Sequence, residues 1–236
     1  MPFDVAWNLL DYPVDASLRV EADGQRRVVV LQHGLWRSPW ALWRLERALI
    51  AHGYEVVNPG YLSTRTTIEA AGEALADHVS RAHAASVYGA KIAFVGHSMG
   101  GLVVQEAMRQ LPTLTPSACV YVAVPHRGAS LCDMRKRWWI FPWIMGDGAA
   151  MQLSPGHPLH RRPIAHVERS GAIVGDLGEG NAAIVGHDDG TVSVDEATLT
   201  GAADRVVLPC GHTRIASFDE TIRQVLTFLK LGRFAH

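Results

Sequence analysis

The sequence predicts an α/β fold: a mostly parallel central sheet with helices on both faces. Three observations carry that prediction. Short apolar runs rich in β-branched residues alternate with longer segments whose apolar residues recur at helical spacing. A glycine-rich turn, Gly96 to Gly101, joins one such run directly to one such segment. Residues able to carry chemistry fall just past the ends of the runs, where ligands bind in open parallel sheets. The alternation implies βαβ units and three layers.

Taken in order, residues 1–27 are weakly patterned, with a short strand expected at 18–22 before the Asp23-Gly24 turn. Val28 to Gln32 reads as a buried strand, ended by His33-Gly34. Ser38-Pro39 opens a helix with Ser as cap and Pro in the first position, and Gly53 stops it. Tyr54 to Asn58 is the second strand. Thr66 and Glu69 have capping-box spacing ahead of the stripe Ile68, Ala71, Leu75, Val79 and Ala82. Lys91 to Val95 is the third strand, and its helix continues to Pro112. Further strands are expected at 119–124, 172–174 and 206–208. A last helix starts with a second capping-box pattern, Ser217 and Glu220, and ends with Lys230 and Gly232.

A chain of 236 residues fits one domain with a sizeable core, here 1–236 with 131–166 as an insertion. Lys plus Arg is 22 and Asp plus Glu is 23, a net charge of −1. That balance offers no field to recruit nucleic acid. The start, Met1 to Asp15, lacks the basic and apolar regions of a signal peptide, and no apolar run is long enough to span a bilayer. The three cysteines, Cys119, Cys132 and Cys210, lack metal-ligand spacing. The expectation is a cytoplasmic protein without metal or cofactor, of open oligomeric state.

The stretch Gly96-His97-Ser98-Met99-Gly100-Gly101 is the most informative. Strand before and helix after supply the context a G-x-S-x-G motif requires. Gly96 and Gly100 let strand and helix pass closely, and Ser98 is held in a strained turn at the sheet's carboxyl edge. On these residues the chain resembles the α/β-hydrolase superfamily, and within it lipases and esterases carrying G-H-S-M-G-G. The resemblance implies a nucleophile, then an acid, then a histidine. His212, just past the last strand, is the candidate base. His187 precedes the acid candidates Asp188 and Asp189 instead of following them, His236 sits at a terminus expected to be mobile, and of His126, His157, His160 and His166 most read as surface residues.

The acid candidates before His212 are Asp176, Glu179, Asp188, Asp189, Asp195 and Glu196. Asp188-Asp189-Gly190-Thr191-Val192 resembles the D-G-x-V turn of lipases, which points to Asp189, with Asp188 as the alternative. His33-Gly34-Leu35 resembles their H-G-x loop. Leu35 and Met99 are then the expected oxyanion-binding amides. Trp36 beside Leu35, His97 beside Ser98, and Trp139 and Trp143 are the candidate substrate-binding side chains. Val124 to Ser130 resembles the T-P-H-R-G-S segment of lipase-like relatives and reads as scaffold.

Residues 131–166 break the α/β rhythm. A basic run, Arg135 to Arg137, precedes the aromatic stretch Trp138 to Met145. The resemblance suggests a lid or acyl-binding wall, the composition also suits contact with a membrane interface, and the same side chains suit a core beneath a long loop. The expected function is hydrolysis of small carboxylic esters with an apolar acyl group. Acyl transfer, thioester hydrolysis or cofactor-free perhydrolysis would use the same residues, and a non-catalytic binding module would not need all three.

Overall fold

A computed structural model describes residues 13–21, 23–84, 89–135, 148–179 and 181–236. Its sheet contains β1 (Arg27–Gln32), β2 (Glu55–Val57), β3 (Lys91–His97), β4 (Ala118–Val122), β5 (Ser170–Gly175) and β6 (Asp204–Leu208). The order across the sheet is β2-β1-β3-β4-β5-β6, and each neighbouring pair runs parallel. The strands expected from residue 28 onward are all present. The longer helices are α1 (Trp43–Ala51), α2 (Ile68–Ala84) and α3 (Met99–Gln110). Short helices α4 (Ser130–Arg135), α5 (Ala149–Gln152), α6 (Val194–Ala197) and α7 (His212–Ile215) follow, then α8 (Asp219–Leu231).

The strands divide two cores by simple alternation. Val29 and Leu31 of β1 and Val95 of β3 join Leu45 and Leu49 of α1 and Val225 of α8. Val30 and Phe94, one residue out of phase, join Leu75 and Val79 of α2 and Leu102 and Val103 of α3. Successive side chains of a strand point to opposite faces, so period-two burial on both faces produces the near-continuous apolar runs. Fully burying a side chain of this size contributes roughly 1.5–3 kcal/mol.

The chain steps from β1 outward to β2, then back past β1 to β3. This reversal opens a crevice between the carboxyl ends of β1 and β3. Ser98 follows β3, and the His33-Gly34-Leu35 loop follows β1, so both border the crevice.

Several local expectations are corrected. No strand forms over the described part of 18–22: Leu18 ends a 3-10 turn, Ala16–Leu18, where Asp15 accepts from the Ser17 N–H at 2.8 Å and bends the chain, and residues 19–21 are irregular. The helix expected from Pro39 begins as a 3-10 turn, Pro39–Leu42, and Ser38 makes no side-chain cap. Thr67, not Thr66, caps α2, its Oγ1 accepting from the Ala70 N–H at 3.2 Å. Glu69 is drawn instead to Gln152 and Arg162. Ser217 does not cap α8: its hydroxyl donates to the Arg214 carbonyl, and Glu220 pairs with Arg223. The carboxyl terminus is fastened, with His236 on Asp204 at 3.0 Å and Phe234 buried. Among the four other histidines after Ser98, His126 is the buried one.

The insertion is tied down on both described flanks. Glu196 Oε1 accepts from the Ser130 N–H at the start of α4, 2.7 Å away. Beyond the aromatic stretch, Gln152 Oε1 accepts from the Ile68 N–H at 2.6 Å, where α2 begins. Arg162 bridges Glu69 of α2 at 3.2 Å and the buried Glu106 of α3 at 2.9 Å. Trp138 to Met145, including Trp139 and Trp143, lies outside the described residues. Among the described residues no helix is long and apolar enough to cross a membrane.

Candidate active site

Ser98 has φ 55° and ψ −132°, a conformation a residue with a side chain adopts at a cost of about 1–3 kcal/mol. The surroundings over-determine it. Its N–H donates to the Val122 carbonyl and its own carbonyl accepts from Gly101, both at 2.9 Å. The glycines make the close approach possible. A Cβ on Gly96 would stand 2.4 Å from the Gly101 Cα, and one on Gly100 would stand 2.2 Å from the Gln32 oxygen. Gly100 therefore packs α3 against the end of β1, not only against β3.

Three side chains separated widely in sequence converge here. His212 Nε2 lies 2.8 Å from Ser98 Oγ, and His212 Nδ1 lies 2.7 Å from Asp189 Oδ2. An ionised carboxylate only accepts, so Nδ1 carries the proton and Nε2 is free to accept from the serine hydroxyl. The other oxygen of Asp189 accepts from the N–H groups of Thr191 at 3.0 Å and Val192 at 2.8 Å. The Asp189 carbonyl also accepts the His212 N–H at 2.8 Å, fixing backbone as well as side chain. His97 braces the same loop, its Nε2 donating to the His212 carbonyl at 3.0 Å. Burial pushes the His97 pKa down to about 3, aided by the neighbouring His212, so the ring is neutral.

The remaining acid candidates are engaged elsewhere. Asp188 is buried in the turn, accepting from Gly190 at 2.6 Å and Asn181 at 3.3 Å. Asp176 holds His187, Asp195 pairs with Arg127, and Glu179 is exposed. Glu196 caps α6 in a capping box with Ser193 while reaching Ser130. The Ser193-x-x-Glu196 spacing carries that cap, but nothing in the sequence reveals the second contact.

The loop after β1 passes against the serine: a Cβ on Gly34 would lie 2.9 Å from Ser98 Cβ. The Trp36 N–H donates to Ser63 Oγ at 3.0 Å, and the Arg37 N–H to the Gly34 carbonyl at 3.3 Å. Of these consecutive amides, Leu35's has no intramolecular acceptor among the described residues. Met99 opens α3, so its N–H is one of the four a helix start leaves unpaired. Tyr61 supports the loop, its hydroxyl donating to the His33 carbonyl at 2.9 Å while its ring stacks on His33. Ser63 and Tyr61 escape a sequence reading because no motif marks them.

Ser98 and His212 open into a cavity of about 240 Å³. Leu35, Ala129, Leu131, Leu153 and Val192 supply apolar wall, and the exposed Trp36 and Arg37 also line it. Cys210 is buried beside the site, and burial pushes its thiol pKa up. All three cysteines are free thiols. Among the described residues no three His, Cys, Asp or Glu side chains converge as metal ligands.

Comparison with solved structures finds the same architecture. The mature lipase BlEst2 of Bacillus licheniformis is 19% identical, with a TM-score of 0.67 over 90% of this chain and 94% of that one. The metagenomic carboxyl esterase MGS0156 is 19% identical, with a TM-score of 0.59 over 87% of this chain and 69% of that one. Phospholipase PlaB from Legionella pneumophila is 15% identical, with a TM-score of 0.66 over 87% of this chain and 60% of that one. At such identities the likeness is one of fold. Curated protein sequences give no match. The model of the alpha/beta hydrolase family matches residues 28–166, from β1 through the insertion, and the chain belongs to that family.

Proposed function

We propose that the protein is a serine hydrolase of carboxylic esters, with Ser98 as nucleophile, His212 as base and Asp189 as the group that orients it. The observation that carries this reading is the continuous chain Ser98 Oγ, His212 Nε2, His212 Nδ1, Asp189 Oδ2 at the wall of a cavity. Ser98 Oγ bonds to the substrate carbonyl carbon while its proton passes to Nε2. The N–H groups of Leu35 and Met99 receive the oxyanion. Collapse expels the alcohol, which takes the proton from His212. Water then attacks the acyl-enzyme, giving its proton to His212, and the acid leaves as Ser98 recovers its own. Beyond substrate and water, each step uses only side chains and backbone of this chain, so the reading calls for no cofactor or metal.

The apolar wall formed by Leu131, Leu153 and Val192 supports an apolar acyl group. In this reading Trp36, His97, Trp139 and Trp143 contribute to substrate binding, and the insertion serves as acyl wall or lid. The test is a fluorophosphonate probe with a chain-length series of p-nitrophenyl esters. Labelling at Ser98, with kcat/KM rising from acetate to medium chains, is expected. Each buried CH₂ should add roughly 0.8 kcal/mol until the pocket ends. Folded protein that neither labels nor turns over any ester would refute the reading.

A further inference from the structure

We infer that the leaving-group side of the cavity takes an alcohol moiety bearing an anion of carboxylate or phosphate type, and that Arg37 selects it. The inference rests on the ester-hydrolase reading and names its substrate class.

Arg37 lines the same cavity as Ser98 and His212, and it is the one formally charged side chain among the described lining residues besides the histidines. His97 is held neutral by burial. The guanidinium has no carboxylate partner among the described residues. Arg26, Arg44, Arg127 and Arg162 each sit on an acidic side chain, whereas Arg37 Nη2 donates to a hydroxyl, Thr213 Oγ1, at 3.0 Å. A guanidinium has five N–H donors, and Thr213 takes one of them. What remains is a planar fork suited to paired oxygens, at the wall of a cavity that offers it no counter-charge.

Geometry assigns the side. His212 must hand its proton to the departing oxygen, so the alcohol leaves from beside His212. Thr213 is the next residue, and Arg37 is bonded to it. The Arg37 backbone is also fixed relative to the serine, because its N–H closes a turn onto Gly34, whose backbone abuts Ser98, and Thr213 orients its exposed guanidinium. The apolar wall of Leu131, Leu153 and Val192 is left for the acyl chain.

The test compares two esters of equal length and one acyl group, γ-butanoyloxybutanoate and pentyl butanoate, followed by pH-stat. The anionic ester should be favoured on the order of tenfold in kcat/KM, mostly through KM, since the contact exists before and during reaction. Arg37→Gln should bring the ratio near unity, Arg37→Glu should invert it, and added salt should shrink it only in the native chain. No preference in the native chain, or a preference that survives both substitutions, would overturn the inference. So would a larger charge preference on the acyl side, measured with monoethyl adipate against ethyl hexanoate. A second readout needs no turnover: in Ser98→Ala, γ-hydroxybutanoate should raise the melting temperature more than butanol does, and Arg37→Gln should abolish the difference. Equal shifts would count against the inference. Hydrolysis of neither ester would instead strike the ester-hydrolase reading.

Discussion

Asp188 and Asp189 are adjacent buried carboxylates that face different tasks. Asp189 Oδ2 meets His212 Nδ1 at 2.7 Å, while Asp188 closes the turn by accepting the Gly190 N–H at 2.6 Å. The two substitutions should therefore separate. Asp189→Asn should lower kcat by about 10⁴-fold, because an amide cannot hold the imidazole in the required tautomer. Asp188→Asn should spare most of kcat and cost about 1–2 kcal/mol of stability through a weakened charge-assisted bond. Esterase kinetics and urea unfolding on both variants decide it, and equal kinetic losses would count against Asp189 as the orienting acid.

Ser98→Ala should abolish turnover while leaving the fold intact. The remaining strain in the turn is relieved or unchanged, so no stability loss is expected. His212→Ala should reduce kcat by about 10⁴-fold or more. Residual activity of a tenth in Ser98→Ala would rule out the covalent route.

Arg162 supports the insertion from outside the cavity. Arg162→Met would leave Glu106 buried, with Arg109 at 3.6 Å as its remaining described cation. We expect a loss of about 2 kcal/mol in unfolding free energy, discounted because Arg162 is itself partly exposed. Adding Glu106→Gln should recover part of it. Strict additivity of the two substitutions, measured by chemical denaturation, would show that the pair is not coupled.

Acid should destabilise the protein through its buried histidines. Burial pushes the His126 pKa down to about 3, with His160 and Arg127 adding to the shift. Gln105 Nε2 donates to its Nδ1 at 2.8 Å. The unfolded chain binds the proton near pH ~6.5 and the native chain does not, so stability is lost as pH falls from there towards ~3. At about pH 5 the loss should reach roughly 2 kcal/mol for this residue. His126→Gln should flatten the slope by about 1.4 kcal/mol per pH unit across that window, read from unfolding curves at several pH values.

The elements visible in the sequence are those whose cause is local. Strands announced themselves because burial on both faces leaves unbroken apolar runs, as in Val28 to Leu31. Ser98 stood out because its turn needs glycines at fixed offsets. The chain order also led to His212, and the Asp-Gly turn to Asp189. The cap of α2 lies one residue from the position its capping-box spacing predicts because Glu69 answers to Gln152 and Arg162, more than eighty residues away. Nothing in the sequence singles out His126 as the buried one of its group, because a histidine carries no mark of its burial. Ser63 and Tyr61 were missed for the same reason: their role arises only when the loop after β2 folds over the loop after β1.

The two anchored flanks of the insertion have a consequence for engineering. Ser130 is held by Glu196, and Gln152 and Arg162 are held by α2 and α3. The posts on either side of residues 136–147 are thus fixed to α2, α6 and Glu106 in the second half of α3, past the nucleophile turn. A replacement segment need only bridge those posts. In the proposed reading, where this segment forms acyl wall or lid, libraries that vary its length and composition should reshape substrate scope while Ser98, His212 and Asp189 keep their mutual distances.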